Sequence, residues 1–352
     1  VLGVGLIGGS LAMAARERLG AHVTGFDPSA AAAERALQRG AIDLAAGDPA
    51  AAVAGAQAVF VAAPVGVLAE VLREALEAAA PDCVVSDVGS VKRAIVAAVE
   101  DPRFVGGHPL AGAETSGVEH ARADLFDGAR WYLTPTSATS GVLYERLHRL
   151  LTGIGAQPCA IEAGQHDRML AAVSHLPHVL ANLLVERAAA AGGEESGRLP
   201  ATGPSFRDAT RVAGAPTSIW ADIYLGNADA LSAELDATIA RLQAVQRALQ
   251  AGDRAAIARW NEQAAEDRRR LHDAGGGTGP LVELRAAVPN RPGVVAELAL
   301  ELGRAGVNIS DMALYPAPDM REGVVALWIS GTAEAGRAEA LIAELGYPVA
   351  RP

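Results

Sequence analysis

Short apolar runs alternate with amphipathic stretches through the first half of the chain. Val1-Leu2-Gly3-Val4 reads as the end of a buried strand, followed by a glycine turn and a helix that continues over 11–19. Helical periodicity returns over 30–39, 67–79 and 90–99, the last opened by Ser90 as a cap. Between these lie strands over 56–64 and 83–88, and Phe104-Val105-Gly106-Gly107 runs as a short strand into His108-Pro109. Alternation of this kind up to about residue 162 predicts a parallel, doubly wound α/β sheet. From 163 to 274 the period becomes helical, over 165–191, 218–250 and 254–273, and Pro177 is expected to kink the first of these. The polar, glycine-rich and proline-interrupted stretch 192–214 reads as a loop.

Residues 275–280 read as a flexible linker. Beyond it the pattern becomes strand 281–288, helix 293–305, strands 307–314 and 323–330, helix 335–345 and a short strand 347–349. That βαββαβ order predicts a ferredoxin-like small domain. The expected organisation is therefore a Rossmann-type dinucleotide-binding domain (1–162), an all-helical substrate or dimerisation domain (163–274), the linker, and a small terminal domain (281–352).

Composition narrows the class. A length of 352 residues suits two or three domains, and a hydrophobic share of 50% provides ample core material. Much of that share is alanine and only 4% is aromatic, which favours many closely packed helices. A formal charge of −11 argues against nucleic acid or an anionic membrane as partner. Cys83 and Cys159 sit in apolar runs without CxxC spacing, which suits free thiols in a reducing, cytoplasmic setting. No uninterrupted apolar run reaches membrane-spanning length. The chain opens inside a strand, which implies residues upstream of Val1.

Candidate chemistry gathers at predicted strand ends. Gly3, Gly5 and Gly8, with Leu6 and Ile7 between them, have the G-x-G-x-x-G spacing of a dinucleotide turn. One glycine permits the turn, one lets the backbone approach a pyrophosphate, and one lets the helix pack closely. Asp27, 19 residues after Gly8, stands where an acid meets the adenosine ribose and so favours NAD over its 2′-phosphate. Its alternative role is to open the next helix. Ala63, Ser90 and His108 also lie at strand carboxyl ends, where such sheets bind ligands. The stretch 106–117 carries His108 and Glu114, six residues apart. A histidine there can take a proton from a hydroxyl during hydride removal; its bland alternative is a turn histidine. His175 and His178 share a helix face, but no acid or cysteine set at ligand spacing accompanies them, so no metal is expected. Substrate lining or helix packing is the expected role. Arg207, Asp208 and Arg211 follow a glycine-rich stretch, and an arginine fork suits a carboxylate; the alternative is a solvated surface pair. Arg268–Arg270 reads as a solvated helix face.

These motifs together resemble the prephenate dehydrogenase family, which includes arogenate and cyclohexadienyl dehydrogenases. The resemblance rests on Gly3–Ser10, Asp87-Val88-Gly89-Ser90-Val91-Lys92, Gly107-His108-Pro109-Leu110-Ala111-Gly112, Ser174-His175-Leu176-Pro177-His178, and Phe206-Arg207-Asp208-Ala209-Thr210-Arg211 with Trp220. The tail resembles an ACT domain, an amino-acid-sensing module, through Asn290-Arg291-Pro292-Gly293-Val294-Val295 and Gly306-Val307-Asn308-Ile309, with Asn290 where aspartate is more usual. The resemblance implies NAD-dependent oxidative decarboxylation of prephenate to 4-hydroxyphenylpyruvate in tyrosine biosynthesis, with arogenate as the alternative substrate. It implies His108 as proton acceptor, Ser90 orienting it near the nicotinamide, Arg211 binding a substrate carboxylate with help from Asp208, Glu114 at the pocket mouth and His175 lining it. Ala113 stands where some relatives carry a hydroxyl. It further implies a homodimer and tyrosine as effector. Two other readings compete. A β-hydroxyacid dehydrogenase would use a helical-domain lysine, and 165–187 has none. A non-catalytic amino-acid sensor would have no need of His108, Ser90 and Arg211.

Overall fold

The computed structural model describes residues 1–112, 115–191, 201–273, 280–317 and 322–352. The chain forms two compact units. The first comprises Val1–Asp167, Gly214–Gly226 and Leu281–Pro352; the second comprises Arg168–Ala213 and Asn227–Pro280.

An extended opening segment leads into α1 (Leu6–Leu19), β1 (Thr24–Gly25), α2 (Ala30–Gln38), β2 (Leu44–Ala45) and α3 (Pro49–Val53). Then follow β3 (Ala58–Val61), α4 (Val65–Ala78), β4 (Val84–Asp87), α5 (Arg93–Ala98) and β5 (Phe104–Pro109). The stretch closes with β6 (Arg130–Thr134), α6 (Gly141–Gly153), β7 (Gln157–Ala160) and α7 (Ala163–Leu170). Local chemistry starts several helices. Ser29 Oγ accepts the Ala32 N–H at α2, and Asp48 accepts the Ala51 N–H at α3 with Pro49 behind it.

Leu2 bridges Phe26 on one side and Val61 on the other, both parallel. The opening segment is therefore an interior strand, in the order β2-β1-opening-β3-β4-β5-β6-β7. The chain order reverses between the opening segment and β3, the crevice where such sheets take ligands. The expectation of a wholly parallel sheet needs correction: β6 runs antiparallel to β5. Between them the described chain is irregular apart from a 3-10 turn at Val118–His120, and without a crossover helix the returning strand lies antiparallel. Sequence periodicity did not resolve β6, α6 and β7 individually.

After α7 come a π-helical turn (Ala171–His175), α8 (Leu176–Ala191), α9 (Pro204–Thr210), α10 (Thr217–Gly226), α11 (Ala228–Gln250) and α12 (Arg254–Asp273). Two expectations change. The stretch read as loop holds α9 and a 3-10 turn at Arg211–Gly214. The helix read over 218–250 breaks at buried Asn227, whose amide meets His175 Nδ1 at 3.1 Å. The irregularity expected from Pro177 takes the form of the π turn just before it; proline lacks the N–H that a regular turn needs. By length and composition alone the helix over Ala163–Ala191 is apolar enough to cross a bilayer, although polar residues interrupt every run in it. α11 buries only Leu231, while Ile239, Leu242, Leu249 and Trp260 lie exposed along α11 and α12.

The terminal segment forms β8 (Leu281–Pro289), α13 (Val294–Arg304), β9 (Ile309–Pro316), β10 (Glu322–Ser330), α14 (Thr332–Glu344) and β11 (Val349–Ala350). Its antiparallel sheet has the order β11-β8-β10-β9. Alternation buries Leu284, Ala286 and Val288 of β8 in one core with Val295, Leu298 and Leu302 of α13 and Ala335, Ala338 and Ile342 of α14. This core is continuous with that of α6 and β7. The backbones meet closely there: a Cβ on Gly303 would lie 2.1 Å from Ala160 O, and one on Gly293 2.6 Å from Ser137 O.

Candidate active site

The three glycines of the opening turn do different work. Gly3 has φ +93°, and a Cβ there would lie 2.4 Å from Ala62 O, just before Ala63 at the end of β3. A Cβ on Gly8 would lie 1.9 Å from Gly3 O, so only glycine lets α1 pack against the turn. At Gly5 a Cβ would meet nothing within 4 Å. That open space lies at the N-terminus of α1, where Leu6 and Ile7 begin the first turn. No side chain caps this end and no acid occupies its first turn. Free N–H groups and the positive end of the helix dipole suit a pyrophosphate.

Asp27 braces the same turn. Its Oδ2 accepts the Val4 N–H at 3.1 Å and its Oδ1 accepts the Ser29 N–H at 2.9 Å. Capping of α2 falls to Ser29, so Asp27 does not itself open that helix. Its place beside the glycine turn is the one a ribose-binding acid occupies. These residues fit a dinucleotide.

β4 and β5 are parallel neighbours, with Val85 opposite Phe104 and Ser86 opposite Val105. Their carboxyl ends carry the Ser90 turn and His108. Asp87 is buried and ties the two ends together: Oδ2 accepts the Gly89 N–H at 2.8 Å and Oδ1 accepts the Gly107 N–H at 2.9 Å. Buried Lys92 neutralises it through a hydrogen-bonded ion pair. Lys92 is the chain's only lysine among 30 cationic residues. Its role in the site went unread in the sequence, and that singularity is the signal that could have found it. Ser90, half-buried, does not cap a helix as expected. α5 begins at Arg93, and the Asp167 carboxylate accepts the Lys92 and Arg93 N–H groups at 2.8 and 2.9 Å. An ionised carboxylate 75 positions away thus supplies the cap expected of a local hydroxyl.

His108 belongs to β5, opposite Tyr132 of β6, and is 8% exposed. Its Nδ1 lies 2.9 Å from Nε2 of fully buried His166, with the rings edge to face. His166 Nδ1 in turn meets Asp167 Oδ1 at 2.8 Å. Burial pushes the His166 imidazole below its ordinary pKa, against the pull of Asp167. Sequence reasoning singled out neither His166 nor Asp167. A histidine held this way, at the carboxyl end of a strand in a dinucleotide fold, is placed to take a proton.

The second unit carries His175, Asp208 and Arg211. His175 is buried beside Asn227. His178 is buried near Asn182, and burial lowers its pKa while the Val212 backbone opposes the shift. Arg211, next to Val212, and Asp208 at the end of α9 are both exposed. Glu114 lies outside the described residues. Among the described residues no cluster of three or more His, Cys, Asp or Glu is arranged to hold a metal.

Comparison with known proteins agrees with this geometry. The nucleotide-binding domain of prephenate dehydrogenase matches residues 11–159, and the dimerization domain of prephenate dehydrogenase matches residues 162–263. The prephenate dehydrogenase of Bacillus subtilis is 30% identical over 360 residues, 97% of this chain and 94% of that protein. The cyclohexadienyl dehydrogenase of Zymomonas mobilis is 35% identical over 247 residues, 67% of this chain and 83% of that protein. Among solved structures, Aquifex aeolicus prephenate dehydrogenase in complex with hydroxyphenyl propionate and NAD+ superposes with a TM-score of 0.73 at 27% identity, covering 77% of this chain and 96% of that one. Synechocystis arogenate dehydrogenase superposes with a TM-score of 0.66 at 27% identity, covering 77% of this chain and 98% of that one.

Proposed function

The chain belongs to the prephenate dehydrogenase family, and from that premise we propose that it oxidatively decarboxylates prephenate to 4-hydroxyphenylpyruvate in tyrosine biosynthesis. It is an NAD-dependent oxidoreductase. When bound, NAD would supply the hydride acceptor for the ring carbon that bears the hydroxyl. The turn at Gly3, Gly5, Leu6, Ile7 and Gly8 would hold its pyrophosphate, Asp27 its ribose, and Ala63 and Ser90 would lie by the nicotinamide. His108 takes the hydroxyl proton as hydride leaves. The ring carboxylate departs as carbon dioxide, its bonding electrons complete the aromatic ring, and His108 returns the proton to the phenolic oxygen. Aromatisation drives the reaction, so the protein's main task is positioning. Ser90 would orient His108 near the nicotinamide. The family resemblance further assigns Arg211, with help from Asp208, to a substrate carboxylate, His175 to pocket lining and Glu114 to the pocket mouth.

The observation that carries this reading is buried His108 at the end of β5, in the same unit as the open glycine cradle at Gly5. The test is NADH formation by the purified protein with prephenate. His108→Asn should lose on the order of 10²–10⁴-fold in turnover, as for a lost general base. Arg211→Ala should chiefly raise KM. No turnover with either prephenate or arogenate sinks the reading. Arogenate is the second substrate to assay, since the Synechocystis arogenate dehydrogenase is similar at the same 27% identity.

Residues 281–352 lie beyond both matched domains, and their βαββαβ order supports an ACT-type module sensing tyrosine. A cavity of about 210 Å³ beside Asn290, Arg291 and Gly141 is the proposed effector site. The segment shares its core with the first unit, so Asn290→Ala is a cleaner test than deletion. Loss of tyrosine inhibition with catalysis intact supports the module; unchanged inhibition points to the active site instead. Exposed Leu183, Leu184, Ile239, Leu242 and Trp260 of the second unit support a homodimer, which sedimentation would report as twice the 36.0 kDa chain mass. The free thiols Cys83 and Cys159 suit a cytoplasmic setting.

A further inference from the structure

His108 ends a chain of three side chains. Its Nδ1 lies 2.9 Å from His166 Nε2, and His166 Nδ1 lies 2.8 Å from Asp167 Oδ1. Each contact shares one proton, so the tautomers along the chain are linked.

The Asp167 end decides their direction. Burial opposes ionisation of this carboxyl, but hydrogen bonds from His166 and from the Arg93 and Lys92 N–H groups outweigh it and hold the pKa below the usual range. A carboxylate only accepts, so His166 Nδ1 is the donor. Burial keeps His166 neutral, with Lys92 opposing its protonation and Asp167 and Asp87 favouring it. With its single proton on Nδ1, His166 accepts at Nε2. The proton between the two rings therefore belongs to His108 Nδ1, and neutral His108 carries its lone pair on Nε2.

We propose that His166 and Asp167 are positioning residues that fix His108 in the tautomer whose Nε2 receives the substrate's hydroxyl proton. The inference rests on the reading of His108 as proton acceptor. The balance is simple: the substrate O–H bond breaks, an N–H bond forms at Nε2, and His108 becomes an imidazolium until the proton returns to the phenolic oxygen. The imidazolium's Nδ1–H then donates more strongly to His166, and the Asp167 charge lies one ring away. The pair is held from several sides. The Tyr132 ring meets His166 edge on, and Asp167 is anchored by the first N–H groups of α5.

Two variants separate positioning from mere packing. His166→Phe keeps a ring but removes the acceptor; His166→Gln restores one through its amide oxygen. His166→Phe should lower kcat by about 10²-fold, the lower end of what a lost general base costs. KM should stay nearly unchanged. The acidic limb of the pH profile should move to lower pH, because protonated His108 loses its partner. His166→Gln should recover most of the loss. A packing role would move no limb and would not distinguish the two variants.

A readout independent of activity is the nitrogen-15 histidine spectrum of the full chain, with His108 assigned by its loss in His108→Asn. The expected wild-type state is a protonated Nδ1 and a lone pair on Nε2. Protonation at Nε2 overturns the proposal, as does wild-type turnover and pH profile in His166→Phe. If His108→Asn is inactive in those cases, the reading of His108 survives. If His108→Asn keeps its turnover, that reading fails and the pair's role falls with it.

Discussion

His148 offers a quantitative test of how the terminal segment packs against the rest of the first unit. It lies on α6, is 1% exposed, and faces β9. Neither ring nitrogen makes a hydrogen bond of normal geometry. Burial pushes its pKa from 6.5 to about 4, with Asp311 and the Ile309 backbone only partly opposing. A folded-state pKa below the unfolded value means that the unfolded chain binds the proton more readily. The stability His148 allows is therefore complete above about pH 6.5 and is lost as pH falls toward about 4. From these two values the loss is about 2 kcal/mol by pH ~5, and about 3 kcal/mol once both states are protonated. A loss of about 2 kcal/mol corresponds to roughly 4–8 °C in Tm for a unit of this size. His148→Leu keeps the volume but cannot titrate. Thermal unfolding of wild type and variant, followed by tryptophan fluorescence from neutral to mildly acidic pH, isolates the term, because all other titrating groups cancel in the difference. Wild type should lose those extra degrees at pH ~5 and be no more stable than the variant at neutral pH. Parallel curves for the two proteins would refute the reasoning.

Four further outcomes follow from the local geometry. Gly5→Ala should leave the apo melting temperature unchanged yet weaken NAD binding by about tenfold or more in calorimetry, about 1.4 kcal/mol. Gly8→Ala should unfold the turn itself, since its Cβ would lie 1.9 Å from Gly3 O; a normal melting temperature would contradict the packing. Lys92→Met strands buried Asp87 without its counter-charge and should cost about 3–5 kcal/mol in denaturant titration. Asp222→Ala removes the acceptor of the Gly66 N–H at the start of α4, a 3.2 Å bond, and should cost about 1 kcal/mol by the same measurement.

Local signals served some elements well and failed at others. Most strands and helices of the first hundred residues were legible because each hydrophobic period is completed within one element, whereas β2 and α3 are too short to show one. Capping of α5 was misread because Ser90 satisfies the local pattern, whereas the acceptor that reaches those N–H groups comes from Asp167. The 3-10 turn at Arg211–Gly214 and the break at Asn227 were invisible because proline, glycine and asparagine punctuate loops and helix ends alike. Arg211 and His175 could be nominated from the family resemblance, but nothing along the chain nominated His166.

The sequence by itself determined the glycine turn, the acid that follows it and the strand–helix alternation, and it nominated His108 as the proton acceptor. These depend on spacings within about one supersecondary unit, where backbone sterics and hydrophobic period act directly. Only the tertiary structure decided that β6 returns antiparallel, that the lone lysine is buried against Asp87, and that His166 and Asp167 back His108. The last of these needs groups 58 positions apart to be desolvated together, and even Lys92 and Asp87, five positions apart, are buried only by the packing around them. A hydrogen bond or ion pair of that kind gains its strength from the low dielectric that packing creates, and no local pattern along the chain encodes it.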